Sequence, residues 1–414
     1  MAGKKPRISL DAARAAMRSF AGVIEAEELP FEDSLGRIAA ETVRAAVYVP
    51  AFDRSPLDGY ALRAEDTVTA GRETPAALTV TEEIAAGESP SIAVTPGMAA
   101  KILTGAPIPE GADCVVRFEE TEYSTECVKI FVPLSAKTNI VPMGDDIKPG
   151  DVVLNKGDVI SAAHLGLLAS VDRLRVAVRR RPKIALINTG NELTEPGEPM
   201  IRGEIRNSAR YTIAAILREN GAEVEDGYIV RDEAEPLAEL LENKLKTCDM
   251  VITTGGVSVG DYDMVRKAVS LLGGKELFWK VAFRPGGTIL AANFRGKLIL
   301  GLSGNPASAA IGLHLLGLPV VRIMAGCTAV YPMVVETRLL EPIRKDSRHG
   351  RLVRGRLVIE NGRICFLPMS AEGHGAISSL IGCDMIASIP PGTPPLPAGE
   401  TISAFWLQSL INGD

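Results

Sequence analysis

The chain has few of the residues that build disulfide frameworks or zinc sites. Its six cysteines, at 114, 127, 248, 327, 365 and 383, include no Cys-x-x-Cys pair. That spacing fits neither a disulfide framework nor a zinc site, and it leads us to expect reduced thiols and a cytoplasmic protein. Only four histidines occur, and none belongs to a His-Glu-x-x-His motif. His164 and His314 sit in apolar helical patterns and read as packing residues. Positive charge is not in excess: the net charge of −6 argues against nonspecific nucleic-acid binding. No run crosses a bilayer comfortably. The longest apolar stretch, 309–324, is interrupted by His314, Pro319 and Arg322 and reads as a core helix. Lys4, Lys5 and Arg7 precede no apolar core. Leu10, Ala13, Met17 and Phe20 instead fall at helical spacing behind Ser9, which predicts an amphipathic soluble helix rather than a signal peptide. Tandem repeats and low-complexity segments are absent.

What is present is ordinary globular composition with one informative segment. Hydrophobic residues make up 46% and charged residues 23%, and 414 residues are too many for one core, so two to four domains are expected. Met250 to Thr254 reads as a buried strand. Gly255, Gly256, Ser258 and Gly260 follow, and Asp261 and Asp263 open a helical pattern over 264–272. Glycine lets the backbone bend sharply and approach a ligand, because no Cβ intervenes. Helix-start N–H groups attract anions, and a carboxylate there either caps the helix or holds a divalent cation.

The arrangement recurs. A β-rich run at 183–187 ends in Asn188-Thr189-Gly190-Asn191-Glu192. A strand over 223–230 is followed by Arg231-Asp232. A strand over 298–302 is followed by Ser303-Gly304-Asn305-Pro306. Helical patterns over 208–220 and 234–246 lie between, so right-handed βαβ units and a parallel sheet are expected. Ligands sit outside the carboxyl ends of such strands, which predicts that Glu192, Asp232 and Asp263 face one crevice. Three carboxylates together need a cation or a basic group, and Lys280 and Arg284 follow soon after.

Four regions are expected. Residues 1–46, mostly helical, join 141–178 in a helical/mixed N-terminal domain. Residues 47–140 form an inserted β domain with short alternating runs. Residues 179–327 form the α/β domain, and 328–414 a C-terminal β domain with an Asn361-Gly362 hairpin turn. In the β domain, an Asp-Gly turn at Asp58-Gly59 and a rigid loop over 102–113, containing Thr104, stand out.

Taken in order, these motifs resemble those of the molybdopterin molybdenumtransferases, the MoeA family that includes the gephyrin E domain. The carriers are residues 55–61, 103–109 with 111–113, 188–193, 254–260 with Asp263, Phe278-Trp279-Lys280, Pro285-Gly286, and Gly304-Asn305-Pro306 with Ser308. The resemblance covers nearly the whole chain. It implies a multi-domain α/β plus β protein whose central domain has the molybdopterin-binding α/β fold with a parallel-rich sheet. It implies an elongated homodimer with clefts shared between subunits, and contacts with the molybdopterin adenylyltransferase and with molybdoenzyme targets. Its reaction is Mg²⁺-dependent insertion of molybdenum from molybdate into adenylated molybdopterin, with release of AMP. By resemblance, Asp58, Thr104, Glu192, Asp232 and Asp263 are catalytic. Gly255, Gly256, Ser258, Lys280, Arg284, Pro285, Ser303, Asn305, Pro306 and Arg354 bind substrate, and Glu192, Asp232 and Asp263 hold the metal.

The chain also departs from the pattern. Val141-Pro142-Met143 replaces a run that is often basic, which removes positive charge. Asn191 stands where an Asp is usual, Ser303 where a Pro is, and Gly373-His374-Gly375 where Gln-Gly-Ser is. Arg284 replaces a Lys, which keeps charge but changes geometry. Two other readings stay open at this level. One is a paralogue that binds a pterin or nucleotide, or acts as a scaffold, without inserting metal, or that uses tungstate. The other is a generic Mg-dependent nucleotidyl enzyme.

Overall fold

A computed structural model describes residues 7–257, 263–369 and 377–407. The chain divides into two compact units. The first comprises Met1–Glu41, Lys156–Ser161 and Arg175–Asp414, and the second Thr42–Asn155 and Ala162–Leu174.

In the first unit, six strands run in the order Glu223–Val230, Lys183–Thr189, Met250–Thr254, Lys297–Leu302, Leu290–Phe294, Lys275–Trp279. The first four are parallel, and the last two add antiparallel, with Lys275–Trp279 at the edge. The reason lies in the burial of both faces. Ile184, Leu186 and Ile252 pack with Ile213, Leu217 and Ile311 on one side. Ala185, Ile187 and Val251 pack with Leu237, Leu241, Val265 and Val269 on the other. A strand covered on both faces reads as a continuous apolar run, which is what the sequence shows. The antiparallel strands at 275–279 and 290–294 were not foreseen. Lys275 and Glu276 break the apolar run of the first, and only pairing to its neighbour makes it a strand.

Leu10–Arg18 is a helix whose Ser9 cap accepts a hydrogen bond from the Ala12 N–H. The expectation that residues 1–46 are mostly helical is corrected. Ala26–Pro30 is a strand paired antiparallel with Arg175–Arg179, a partner that no local pattern reveals. Pro306–Met324 is 19 residues long and apolar enough to cross a membrane by length and composition, yet 89% of it is buried inside the protein. It is the expected core helix, with a π-helical turn at Leu313–Gly317. The unit ends in a closed five-stranded barrel in the order Met333–Leu339, Arg363–Pro368, Arg351–Glu360, Met385–Ile389, Thr401–Trp406. Its tight turn uses Asn361 at φ 52° and Gly362 at φ 74°, as a type I′ hairpin requires.

The second unit holds a six-stranded mixed sheet in the order Cys114–Arg117, Gly59–Leu62, Met98–Ile102, Ala76–Ile84, Cys127–Ile130, Thr121–Tyr123. A helix, Ala162–Ser170, and a short ladder between Val43–Arg44 and Val152–Leu154 complete it.

Candidate active site

The carboxyl edge of the parallel strands opens into a crevice of about 400 Å³, lined among others by Thr189, Glu192, Asn207, Ser208, Thr254 and Asn305. Two glycines with left-handed backbone pack against Thr189, one of its lining residues. At Gly255 (φ 86°) a Cβ would lie 2.3 Å from the Thr189 carbonyl oxygen, and at Gly256 (φ 61°) 2.7 Å from its Oγ1. No side chain fits at either position. Two helix starts supply the walls. Asn207 precedes the Ser208–Glu219 helix, and Asn305 caps the helix that begins at Pro306 by accepting from the Ser308 N–H at 3.0 Å. Ser303 steadies that turn, its Oγ accepting from the Asn305 N–H at 3.3 Å. Beneath the strand ends, Asn188 Nδ2 donates to Thr254 Oγ1 at 2.6 Å. Asn188 Oδ1, Thr189 Oγ1 and Thr253 Oγ1 are buried there without a hydrogen-bond partner. Buried polar atoms are rarely left so, and a group of them marks a polar site.

Glu192 and Asp232 come together, and the Asp232 N–H donates to Asn191 Oδ1 at 3.2 Å. Burial first, and then the neighbouring Glu192 charge, push the Asp232 carboxyl above the usual range. Asp263 sits elsewhere, at the start of the Met264–Leu271 helix. It is buried, makes no side-chain capping bond, and leaves Oδ1 without a partner. Burial raises its pKa, partly offset by Arg266 and Lys280. Lys280 (φ 72°) lies 3.6 Å over the Trp279 ring, and Arg266, paired to Glu276 at 2.6 Å, lies over the same ring at 4.7 Å. The expected metal set of Glu192, Asp232 and Asp263 is therefore corrected. Among the described residues, no group of three or more His, Cys, Asp or Glu could hold a metal ion. The loop after Glu223–Val230 brings Asp232 to Glu192, whereas the helix start holds Asp263 beside Arg266, Glu276 and Lys280.

Arg284 and Pro285 line a separate pocket of about 730 Å³ with Arg7, Arg348, His349, Arg351 and Asp346. A Cβ at Gly286 would lie 2.7 Å from the Ser308 carbonyl oxygen, so this loop presses on the helix that Asn305 caps. Arg354 lines a third cavity of about 780 Å³ with His314, Asn220, Cys383 and Trp406. Its Nε is buried without a partner. His314 is a core residue as expected, and burial pushes its pKa down to about 4, so it is uncharged at neutral pH.

In the second unit, Asp58 Oδ1 accepts from both the backbone N–H and the hydroxyl of Thr104, each at 2.7 Å. These bonds hold the Asp58 carboxyl below its ordinary range. Backbone bonds zip the two loops together: the Ser55 N–H donates to Ala106 and the Gly105 N–H to Ser55. Val141 and Arg54 exchange backbone bonds close by, and the Met143 N–H donates to Asp53 Oδ1 at 2.6 Å. Ser258 lies outside the described residues, as does the 373–375 segment. Sequence reasoning missed Asn207 and Ser208, although an Asn-Ser pair opening a helical pattern is itself a capping signal. It also missed Arg7, Arg348, His349 and Arg351, which are far apart from Arg284 in sequence or carry no pattern.

Three family models match successive parts of the chain: the MoeA N-terminal region (domain I and II) at residues 8–171, a probable molybdopterin binding domain at 185–323, and the MoeA C-terminal region (domain IV) at 336–406. A molybdopterin molybdenumtransferase from Staphylococcus epidermidis is 35% identical over 378 residues, covering 91% of this chain and 90% of that protein. The chain belongs to the MoeA family. Another such relative, from Staphylococcus aureus, is 34% identical over the same shares of both chains. The crystal structure of a molybdopterin biosynthesis MoeA protein from Pyrococcus horikoshii superposes with a TM-score of 0.85 at 30% identity, over 99% of this chain and 100% of that one. MoeA membership accounts for the multidomain architecture and for the α/β domain on which the crevice opens.

Proposed function

We propose that this MoeA protein is a transferase of molybdenum cofactor biosynthesis that inserts molybdenum from molybdate into adenylated molybdopterin and releases AMP. The observation that carries the reading is the crevice at the carboxyl edge of the parallel sheet. It has two glycines bent tightly against Thr189 at the strand ends, two helix starts that favour anionic groups, and Glu192 with Asp232 beside it. A pyrophosphate-linked substrate suits such a surface. Lys280 and Arg284 would take the anionic ends of the substrates.

Mg²⁺ usually takes one or two carboxylates and completes its shell with water and substrate phosphate oxygens. The neighbouring carboxylates of Glu192 and Asp232 suit an ion of that kind, one that arrives with the nucleotide. When bound, the ion would offset phosphate charge and favour departure of AMP. Asp58 would contribute a fixed acceptor, its orientation set by Thr104. We further propose a cytoplasmic homodimer with clefts shared between subunits, taking substrate from the molybdopterin adenylyltransferase and passing product to molybdoenzymes.

The test is direct. Purified protein is given adenylated molybdopterin, Mg²⁺ and molybdate, and AMP and the metal-loaded pterin are followed. Consumption that needs all three supports the reading. ATP turnover without pterin, or binding without consumption, overturns it. A parallel reaction with tungstate decides between the two oxyanions.

A further inference from the structure

The Glu195 carboxylate receives three donors from the opening of one helix. Asn207 Nδ2 donates to Oε1 at 2.9 Å, and Arg210 Nη1 and the Tyr211 hydroxyl donate to Oε2 at 2.9 and 3.0 Å. Asn207 is the cap of the Ser208–Glu219 helix, and Arg210 and Tyr211 lie in its first turn. Glu195 is not the end of the chain of contacts. Arg210 Nη2 donates to Asp226 Oδ1 at 2.9 Å, and Arg218 binds the other oxygen of Asp226 at 2.6 Å.

The strand carrying Asp226 is distorted where Arg210 meets it. The Glu223–Val230 ladder shifts register between Ala185 and Ile187, with Gly227 at φ 100°. A Cβ at Gly227 would lie 3.1 Å from Arg210 Nη2. The bulge therefore both aims Asp226 at the guanidinium and leaves room for it. Arg is suited to this place, since its planar fork serves two carboxylates in fixed directions.

Each anchored segment delivers a residue to the crevice or its edge. Glu195 lies three residues after Glu192, whose carbonyl pairs with the Ile205 N–H at 2.8 Å. Arg206 Nη1 closes the loop on the carbonyls of Glu195 and Glu198 at 2.7 and 2.8 Å. The helix start delivers Asn207 and Ser208, and the bulged strand leads to Asp232. Side chains of Glu195, Arg210 and Asp226 are 21%, 23% and 15% exposed, so the links are partly shielded from water.

We infer that Glu195 and Arg210 are positioning residues, which fix the spacing of Glu192, Ser208 and Asp232 around the phosphate-bearing part of the substrate without touching it. The inference rests on the proposed reading of the crevice as a phosphate site.

Glu195→Gln keeps hydrogen-bonding capacity and removes charge, and Arg210→Lys keeps charge and removes the fork. Each should lower kcat/KM for adenylated molybdopterin about ten- to a hundredfold, chiefly through KM. The melting temperature should stay within about 3 °C of wild type. The double variant should lose little more than the worse single one, because both break one link. In Glu195→Gln, the Tyr211 hydroxyl should titrate at lower pH, as its charged acceptor is gone. Amide exchange at 192–196 and 205–211 should quicken in both variants. Unchanged kcat/KM, or a fall in melting temperature with kcat/KM per folded molecule intact, would show a merely structural network and overturn the inference. If wild type leaves adenylated molybdopterin untouched, the functional reading fails. Amide exchange and AMP affinity by calorimetry then decide the positioning separately: unaltered exchange and affinity in the variants overturn it.

Discussion

Asp58 Oδ1 is held by both hydrogen-bond donors of Thr104, the backbone N–H and the hydroxyl, each at 2.7 Å. One carboxylate oxygen is thereby fixed, while the carboxyl stays ionised to lower pH than an ordinary Asp. Thr104→Val removes only the hydroxyl donor, so turnover should fall by about tenfold through misorientation. Asp58→Asn removes the charge itself and should reduce turnover further, with the melting temperature nearly unchanged. Steady-state kinetics beside thermal denaturation checks both, and a Thr104→Val enzyme as impaired as Asp58→Asn would contradict the separation of charge from orientation.

Asp263→Asn should nearly abolish turnover, because it removes the buried charge that faces Arg266 and Lys280. Its folded pKa is raised, because burial disfavours the charged form. The folded state therefore holds the proton more tightly than the unfolded chain. Ionising the group costs stability as pH rises from about 4 through its folded pKa. Asparagine carries no such cost, so at neutral pH the variant should melt at the same temperature or higher. That difference should shrink as pH falls toward 4. In the wild type, the acid limb of activity should lie above the ordinary Asp range. Turnover intact with a lower melting temperature would mark Asp263 as structural.

Val141 and Met143 lie beside Asp53 and Arg54, next to the loop that carries Asp58. An Arg at Val141 or Met143 should lower the KM for molybdate or adenylated pterin. The gain should be larger at low salt, where exposed charges are less screened. Equal KM values at low ionic strength would place this segment outside the reach of the substrate.

The proposal that clefts are shared between subunits of a dimer is tested by mixing. Asp58→Asn and Asp263→Asn should each be nearly inactive alone. In a mixed dimer, one cleft carries both substitutions and the other neither. Equal mixing makes about half the dimers mixed, so about a quarter of all clefts should be intact in a two-fold assembly. Activity should recover to roughly that share of wild type. If mass spectrometry shows that subunits have exchanged and activity stays at the single-variant level, the cleft lies within one subunit.

Much of the α/β domain was legible because burial of both strand faces leaves a local trace. The run Met250–Thr254 is apolar from end to end, and every one of its residues is buried. Helix ends were legible where chemistry is local: Ser9 caps one helix and Asn361-Gly362 turns one hairpin. By contrast, Ala26–Pro30 becomes a strand only through Arg175–Arg179, and nothing near it in sequence announces the partner.

The sequence by itself determined which acids, glycines and capping residues end the parallel strands, because turns, caps and hydrophobic period act over a few residues. It also carried the family, through several motifs in a fixed order. Only the tertiary structure decided which of those groups meet. It set Glu192 against Asp232, left Asp263 with Lys280, and gathered Arg284 with Arg348 and Arg351 in a pocket apart. The physical reason is that charge interactions fall off over a few ångströms, and only the packed chain fixes distances between residues tens of positions apart.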